Sequence, residues 1–130
     1  MPDPGLPVAD FVGLPYLKGG RGPDAYDCYG LCLAVCNRFG VIIPEIPSPT
    51  TRTDRNDLFA STKDIWTKLS KPKPYCLVAF RIRRNWHAGV VLEDLQSFIH
   101  ITRGIRVTIS QLNSFKWRQQ FDGFYEFPDS

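Results

Sequence analysis

Histidine is scarce. The 130 residues contain two, His87 and His100, so any imidazole acid–base chemistry near neutral pH must use one or both. Long apolar runs are missing as well. No stretch approaches the roughly 20 residues of a membrane-spanning helix, and the opening MPDPGLPVADFVG has neither the basic flank nor the apolar run of a signal peptide. The expectation is a soluble chain made in the cytoplasm, without membrane insertion. Sixteen Lys and Arg against thirteen Asp and Glu leave +3 and no dense basic stripe, so a nucleic-acid partner is not expected. Internal repeats and low-complexity tracts are absent too, and no CxxC pair suggests a zinc site.

What is present has an ordinary globular balance, 43% hydrophobic, 13% aromatic and 22% charged, too apolar for a disordered chain. This length suits one core that buries about two-thirds of the unfolded surface, so residues 1–130 read as a single domain. Gly, Pro and Asp crowd residues 1–27, which predicts an ordered surface loop, YLKGGRGPDAYD, after a short helical piece near Pro7 to Leu14. Cys28 to Phe39 is apolar around most of its circumference, with Asp27 as N-cap and Gly40 at the stop, and reads as a buried helix. Beyond the proline-broken VIIPEIPSPTTRT, Asp54 opens an expected second helix whose apolar side is Leu58, Ile65, Trp66 and Leu69, ended by KPKP.

The remainder reads as strands at Tyr75 to Ile82, Trp86 to Leu92, Ser97 to Thr102, Ile105 to Ile109 and Phe121 to Phe127, with a helical turn near Gln111 to Arg118. Helices followed by an antiparallel sheet make an α+β fold.

Cys28 opens the buried helix, where unpaired amides and the positive end of the helix dipole favour a thiolate. Cys32 and Cys36 follow at successive turns, too close along one helix for bridges, and read as core packing. A single metal ion does not suit the three, because eight helical residues span about 12 Å against ligand bonds of about 2.3 Å.

A nucleophilic cysteine needs a base. If Trp86 to Leu92 and Ser97 to Thr102 close around EDLQ, the even loop sets His100 opposite Gly89 and His87 opposite Thr102. Both rings then leave one face as diagonal neighbours, about 7 Å apart at Cβ, with Gly89 leaving room between them. Cys28 as nucleophile, His87 as base and His100 as the group fixing the His87 tautomer would complete a hydrolase triad.

These residues resemble the NlpC/p60 cysteine peptidases, papain-like hydrolases of bacterial cell-wall peptides. PYLKGGRGPDAYDCYGL resembles the family's loop and nucleophile motif, HAGVVLEDLQSFIH its histidine strand and following strand, and FKWRQQFDGFYEF its closing segment in phage-tail members. The resemblance implies a nucleophile helix packed on a central antiparallel sheet, Cys28, His87 and His100 as the triad, and no metal or organic cofactor. It also implies peptidoglycan stem peptides as substrate. Tyr16 matches a tyrosine that helps bind substrate or the oxyanion beside the Cys28 amide, and Asp27 is read mainly as the helix cap, with a substrate amine as a second contact.

Three positions depart from the common pattern, one of them Cys76, which stands where an aspartate is common before the first long strand and is read as a folding variation. Tyr29 stands where Ser usually follows the nucleophile, and Lys18 where an aromatic usually precedes the glycine pair. With its bulky Tyr29 beside the expected cleft, the loop is most similar to members encoded in phage and prophage tail operons, which implies other tail proteins as partners and a place in a phage-like particle. An injected toxin, a cytoplasmic peptidase with the same triad, and a structural tail component with a blocked cleft stay open at this point.

Overall fold

The computed structural model describes residues 8–43, 66–82, 85–101 and 105–127, without the side chains of residues 85 and 86. The expected short helical piece takes 3₁₀-like form, as i to i+3 hydrogen bonds wind the chain between Val8 and Leu14. The loop that follows is ordered by its own backbone: the Leu17 N–H donates to the Tyr26 carbonyl, the Gly22 N–H to that of Ala25, and the Asp27 N–H to that of Gly20.

Helix α1 spans Cys28–Arg38. The Asp27 carboxylate accepts the Gly30 N–H at 2.6 Å, satisfying one of the amides a helix start leaves unpaired. Leu31, Cys32, Val35 and Cys36 are fully buried, and covering an aliphatic side chain of this size stabilises by about 1.5–3 kcal/mol. The two later helix cysteines are therefore core, as expected, and all four cysteines are free thiols.

The sheet comprises β1 (Thr67–Leu69), β2 (Leu77–Ile82), β3 (Asn85–Val91), β4 (Ser97–His100), β5 (Thr108–Gln111) and β6 (Phe121–Glu126). It is antiparallel throughout, in the order β1-β6-β2-β3-β4-β5. A short helix, α2 (Phe115–Gln120), precedes β6.

Alternation along the strands divides the apolar residues into two layers. Leu77, Ala88, Val90 and Ile99 pack on the α1 side, whereas Val78, Phe80, Val91 and Phe98 pack with Trp117 of α2 on the other. Val90 pairs with Ile99 and Val91 with Phe98, the register expected from the even loop.

Two element assignments are corrected. Trp66 and Leu69 do not end a helix: Thr67–Leu69 is an edge strand on Phe124–Glu126. Two apolar residues three apart suit a helical face, but here ladder bonds to β6 satisfy the backbone, and the rest of that expected helix lies outside the described residues. The strand expected at Ile105 to Ile109 begins at Thr108, because Val107 exchanges main-chain bonds with Gly13 and Leu14 instead.

Candidate active site

The two layers meet at the main chain of β3. Cys28, on the first turn of α1, comes from one side, and its Sγ rests against Ala88, 3.4 Å from the amide nitrogen and 3.2 Å from the carbonyl oxygen. His87, one residue earlier, points into the opposite layer, with its Nδ1 3.8 Å from Sγ. Its Nε2 lies 2.8 Å from His100 Nδ1. Gly89 makes that approach possible: a Cβ there would stand 3.1 Å from His100 Cβ and 2.8 Å from the Ile99 carbonyl oxygen. Sulfur and imidazoles thus form one continuous row, from residues 59 positions apart in the chain.

The row extends one residue further. His100 Nε2 is 2.8 Å from Ser110 Oγ, because β5 pairs with β4 and places Ser110 across from Phe98. Trp117 closes the far side, lying nearly parallel to His87 at 5.6 Å and edge-on to His100 at 4.9 Å between ring centres. Neither residue was singled out in the sequence. Trp117 lay inside the expected helical turn, and Ser110 just beyond an expected strand end.

Burial decides the charge of the inner histidine. His100 is 3% exposed, and desolvation, with the Lys116 charge second, holds its pKa down to about 4. At neutral pH it is an uncharged partner with one donor and one acceptor nitrogen. A neutral His87 that accepts a proton at Nδ1 carries its own hydrogen on Nε2, which donates to a bare His100 Nδ1. His100 then carries its hydrogen on Nε2, aimed at Ser110. Cys28 and Ser110, at the two ends of the row, are half-buried, whereas the two imidazoles between them are buried.

The remaining candidates occupy the loop and the first turn. Asp27 is buried at 7% exposure, and the Oδ1 that accepts the Gly30 amide also pairs with Arg21 Nη1 at 2.7 Å. Its observed role is therefore that of the cap. Tyr16 is bridged to Tyr26 through the backbone, and both Tyr16 and Tyr29 are half-buried against the α1 side of the core. A cavity of about 400 Å³ lined by Arg21, Leu33, Asn37 and Ile42 lies along α1 and includes neither Cys28 nor a histidine. Among the described residues no helix is long and apolar enough to cross a membrane, and no group of His, Cys, Asp and Glu is arranged to hold a metal ion.

Comparison with known proteins gives the same outline. The model of the NlpC/P60 family matches residues 13–126. No curated protein sequence matches. Among solved structures, one from Staphylococcus aureus described as similar to lipoprotein, NLP/P60 family, aligns with TM-score 0.64 and 21% identity over 95% of this chain and 41% of its own. NlpC1 from Trichomonas vaginalis aligns with TM-score 0.66 and 20% identity over 95% and 42%. The chain thus spans about two-fifths of the length of those two neighbours. The NlpC/p60 domain of the peptidoglycan hydrolase SagA aligns with TM-score 0.57 and 20% identity over 96% of this chain and 98% of that domain.

Proposed function

The chain belongs to the NlpC/P60 family, and from that premise we propose that it is a cysteine peptidase that hydrolyses an amide bond in peptidoglycan stem peptides. The observation that carries the reading is the row Cys28 Sγ, His87 and His100, with 3.8 Å and 2.8 Å between successive heteroatoms. A similar fold is found in a domain whose title names a peptidoglycan hydrolase, which supports the choice of substrate class.

In the proposed reaction His87 Nδ1 takes the Cys28 proton, and the thiolate adds to the amide carbonyl. The carbonyl oxygen gains negative charge, which the Cys28 amide at the start of α1 and the Tyr16 hydroxyl are assigned to stabilise. The His87 imidazolium gives its proton to the leaving nitrogen as the carbon–nitrogen bond breaks, leaving a thioester. Water, deprotonated by His87, then attacks the thioester and releases the acid product and free Cys28. His100 stays neutral and keeps the His87 ring in place through its Nδ1. Tyr29 is assigned to the substrate cleft on its resemblance to tail-encoded members. That same resemblance, in the loop and in the closing segment FKWRQQFDGFYEF, supports assigning the protein to a phage-like tail particle with other tail proteins as partners.

Purified protein incubated with defined stem peptides tests the reading. Cleavage that disappears in Cys28→Ala is the expected result, whereas equal product from both proteins, or from neither across the common muropeptide types, refutes it.

A further inference from the structure

Ser110, half-buried on β5, is the last member of the row, separated from the sulfur by both imidazoles. Its Oγ is 2.8 Å from His100 Nε2, so its effect on chemistry must pass through His100. The imidazole can hold its hydrogen on either nitrogen, and only one choice serves the row. With hydrogen on Nε2, the bare Nδ1 accepts from His87 and leaves His87 Nδ1 free to take a proton. With hydrogen on Nδ1, His100 donates to His87 Nε2, and the hydrogen of a neutral His87 is driven to Nδ1, where it blocks the base.

Around His100 the other neighbours are poor selectors. Phe98 and Trp117 present rings at 4.5 Å and 4.9 Å between centres, and Lys116 on α2 contributes positive charge and no acceptor. His87 donates or accepts at Nε2 according to its own state. The Ser110 hydroxyl oxygen is the acceptor within 2.8 Å of Nε2, and a buried N–H without an acceptor is costly.

We propose that Ser110 is a positioning residue: by accepting the His100 Nε2–H it holds His100 in the tautomer whose bare Nδ1 accepts the hydrogen bond from His87 Nε2–H. This rests on the peptidase reading for its consequence and on strand register alone for its geometry. β4 and β5 pair as Phe98↔Ser110 and His100↔Thr108, and the short β-strand side chain of Ser110 spans the remaining diagonal.

Three full-length proteins test it: wild type, Ser110→Ala and Ser110→Thr, the last retaining a hydroxyl on a residue suited to strands. Histidine ring nitrogens are read by long-range proton–nitrogen correlation at pH 7, and cleavage of a stem peptide gives kcat and KM. In wild type the His100 signals should show a single Nε2–H tautomer. Ser110→Ala should mix in the Nδ1–H form and lower kcat about 3- to 10-fold at unchanged KM, the range for one neutral hydrogen bond. Ser110→Thr should restore both.

A Ser110→Ala protein that keeps the wild-type tautomer signature overturns the proposal, even if kcat falls, because only packing would then have changed. A Thr variant that folds but leaves the tautomers mixed also overturns it. If wild type proves no more active than Cys28→Ala, the peptidase reading fails by itself, and the nitrogen spectra still decide whether Ser110 selects the His100 tautomer.

Discussion

Substituting Gly30 by Ala sets two opposing effects against each other. In an ordinary helix the change is favourable by about 1 kcal/mol, because glycine loses more backbone freedom on folding. Here the new Cβ would lie 2.1 Å from the Gly20 carbonyl oxygen, 2.9 Å from Asp27 Oδ1 and 3.0 Å from Arg21 Nη1. The carbonyl belongs to main chain that also accepts the Asp27 amide at 3.1 Å, so relief requires moving the loop off the start of α1. Overpacking of this kind costs about 1–3 kcal/mol, and losing the Asp27 cap would cost about 1 kcal/mol more.

Clash and cap outweigh propensity, and Gly30→Ala should be destabilised by about 2 kcal/mol in urea unfolding. The loop also sets the position of the first turn, so alkylation of Cys28 should change rate in the folded variant. A variant as stable as wild type, or more stable, would show that the loop does not press on the helix and that the argument from close approach is wrong.

The four thiols should differ sharply in folded protein at pH 7. Iodoacetamide, with mass mapping of the sites, should label Cys28. Burial holds the Cys32 thiol well above its ordinary pKa, pushes Cys36 up to about 12 and Cys76 up to about 11, so these three should stay unlabelled until unfolding. Equal labelling of Cys28 and Cys32 would contradict this order. Acid should weaken the fold through His100, whose pKa falls from 6.5 to about 4 chiefly by burial. The unfolded chain binds that proton first. The contribution is therefore complete above pH 6.5 and is lost as pH falls towards 4, by up to about 3 kcal/mol at about 1.4 kcal/mol per unit. Unfolding free energies of wild type and His100→Gln between pH 4 and 7 check this, and identical slopes would refute it.

Much of the site was legible because strand geometry is digital. The length of EDLQ fixes a parity, and parity puts His87 and His100 on one face, as the Val90↔Ile99 pairing bears out. Cys28 was legible from the change in composition at Asp27 and from the cap that Asp27 supplies. Trp66 and Leu69 misled because a three-residue edge strand carries too few positions to establish a period, and pairing with β6 decides its state. Ser110 escaped for a related reason. Ile105, Val107 and Ile109 alternate as one strand would, yet the partner changes from Gly13 and Leu14 to β4 at Thr108, and side-chain pattern carries no mark of that exchange. Trp117 was within the expected helical turn, but its place over the histidines depends on how α2 packs against the sheet, which spacing within one segment does not encode.

The seat of the Cys28 sulfur is main chain, with the amide nitrogen and carbonyl oxygen of Ala88 both against Sγ. In evolutionary terms such a seat is inherited with the path of a strand, and substitution of the residue that supplies it need not disturb it. Chains of this fold share only about one residue in five with this one, as with the neighbours at 20% identity, and selection at position 88 acts on the α1-side core and not on the contact to Cys28. Substitution tolerance there would report on packing, and an alignment would leave one of the sulfur's nearest contacts unmarked.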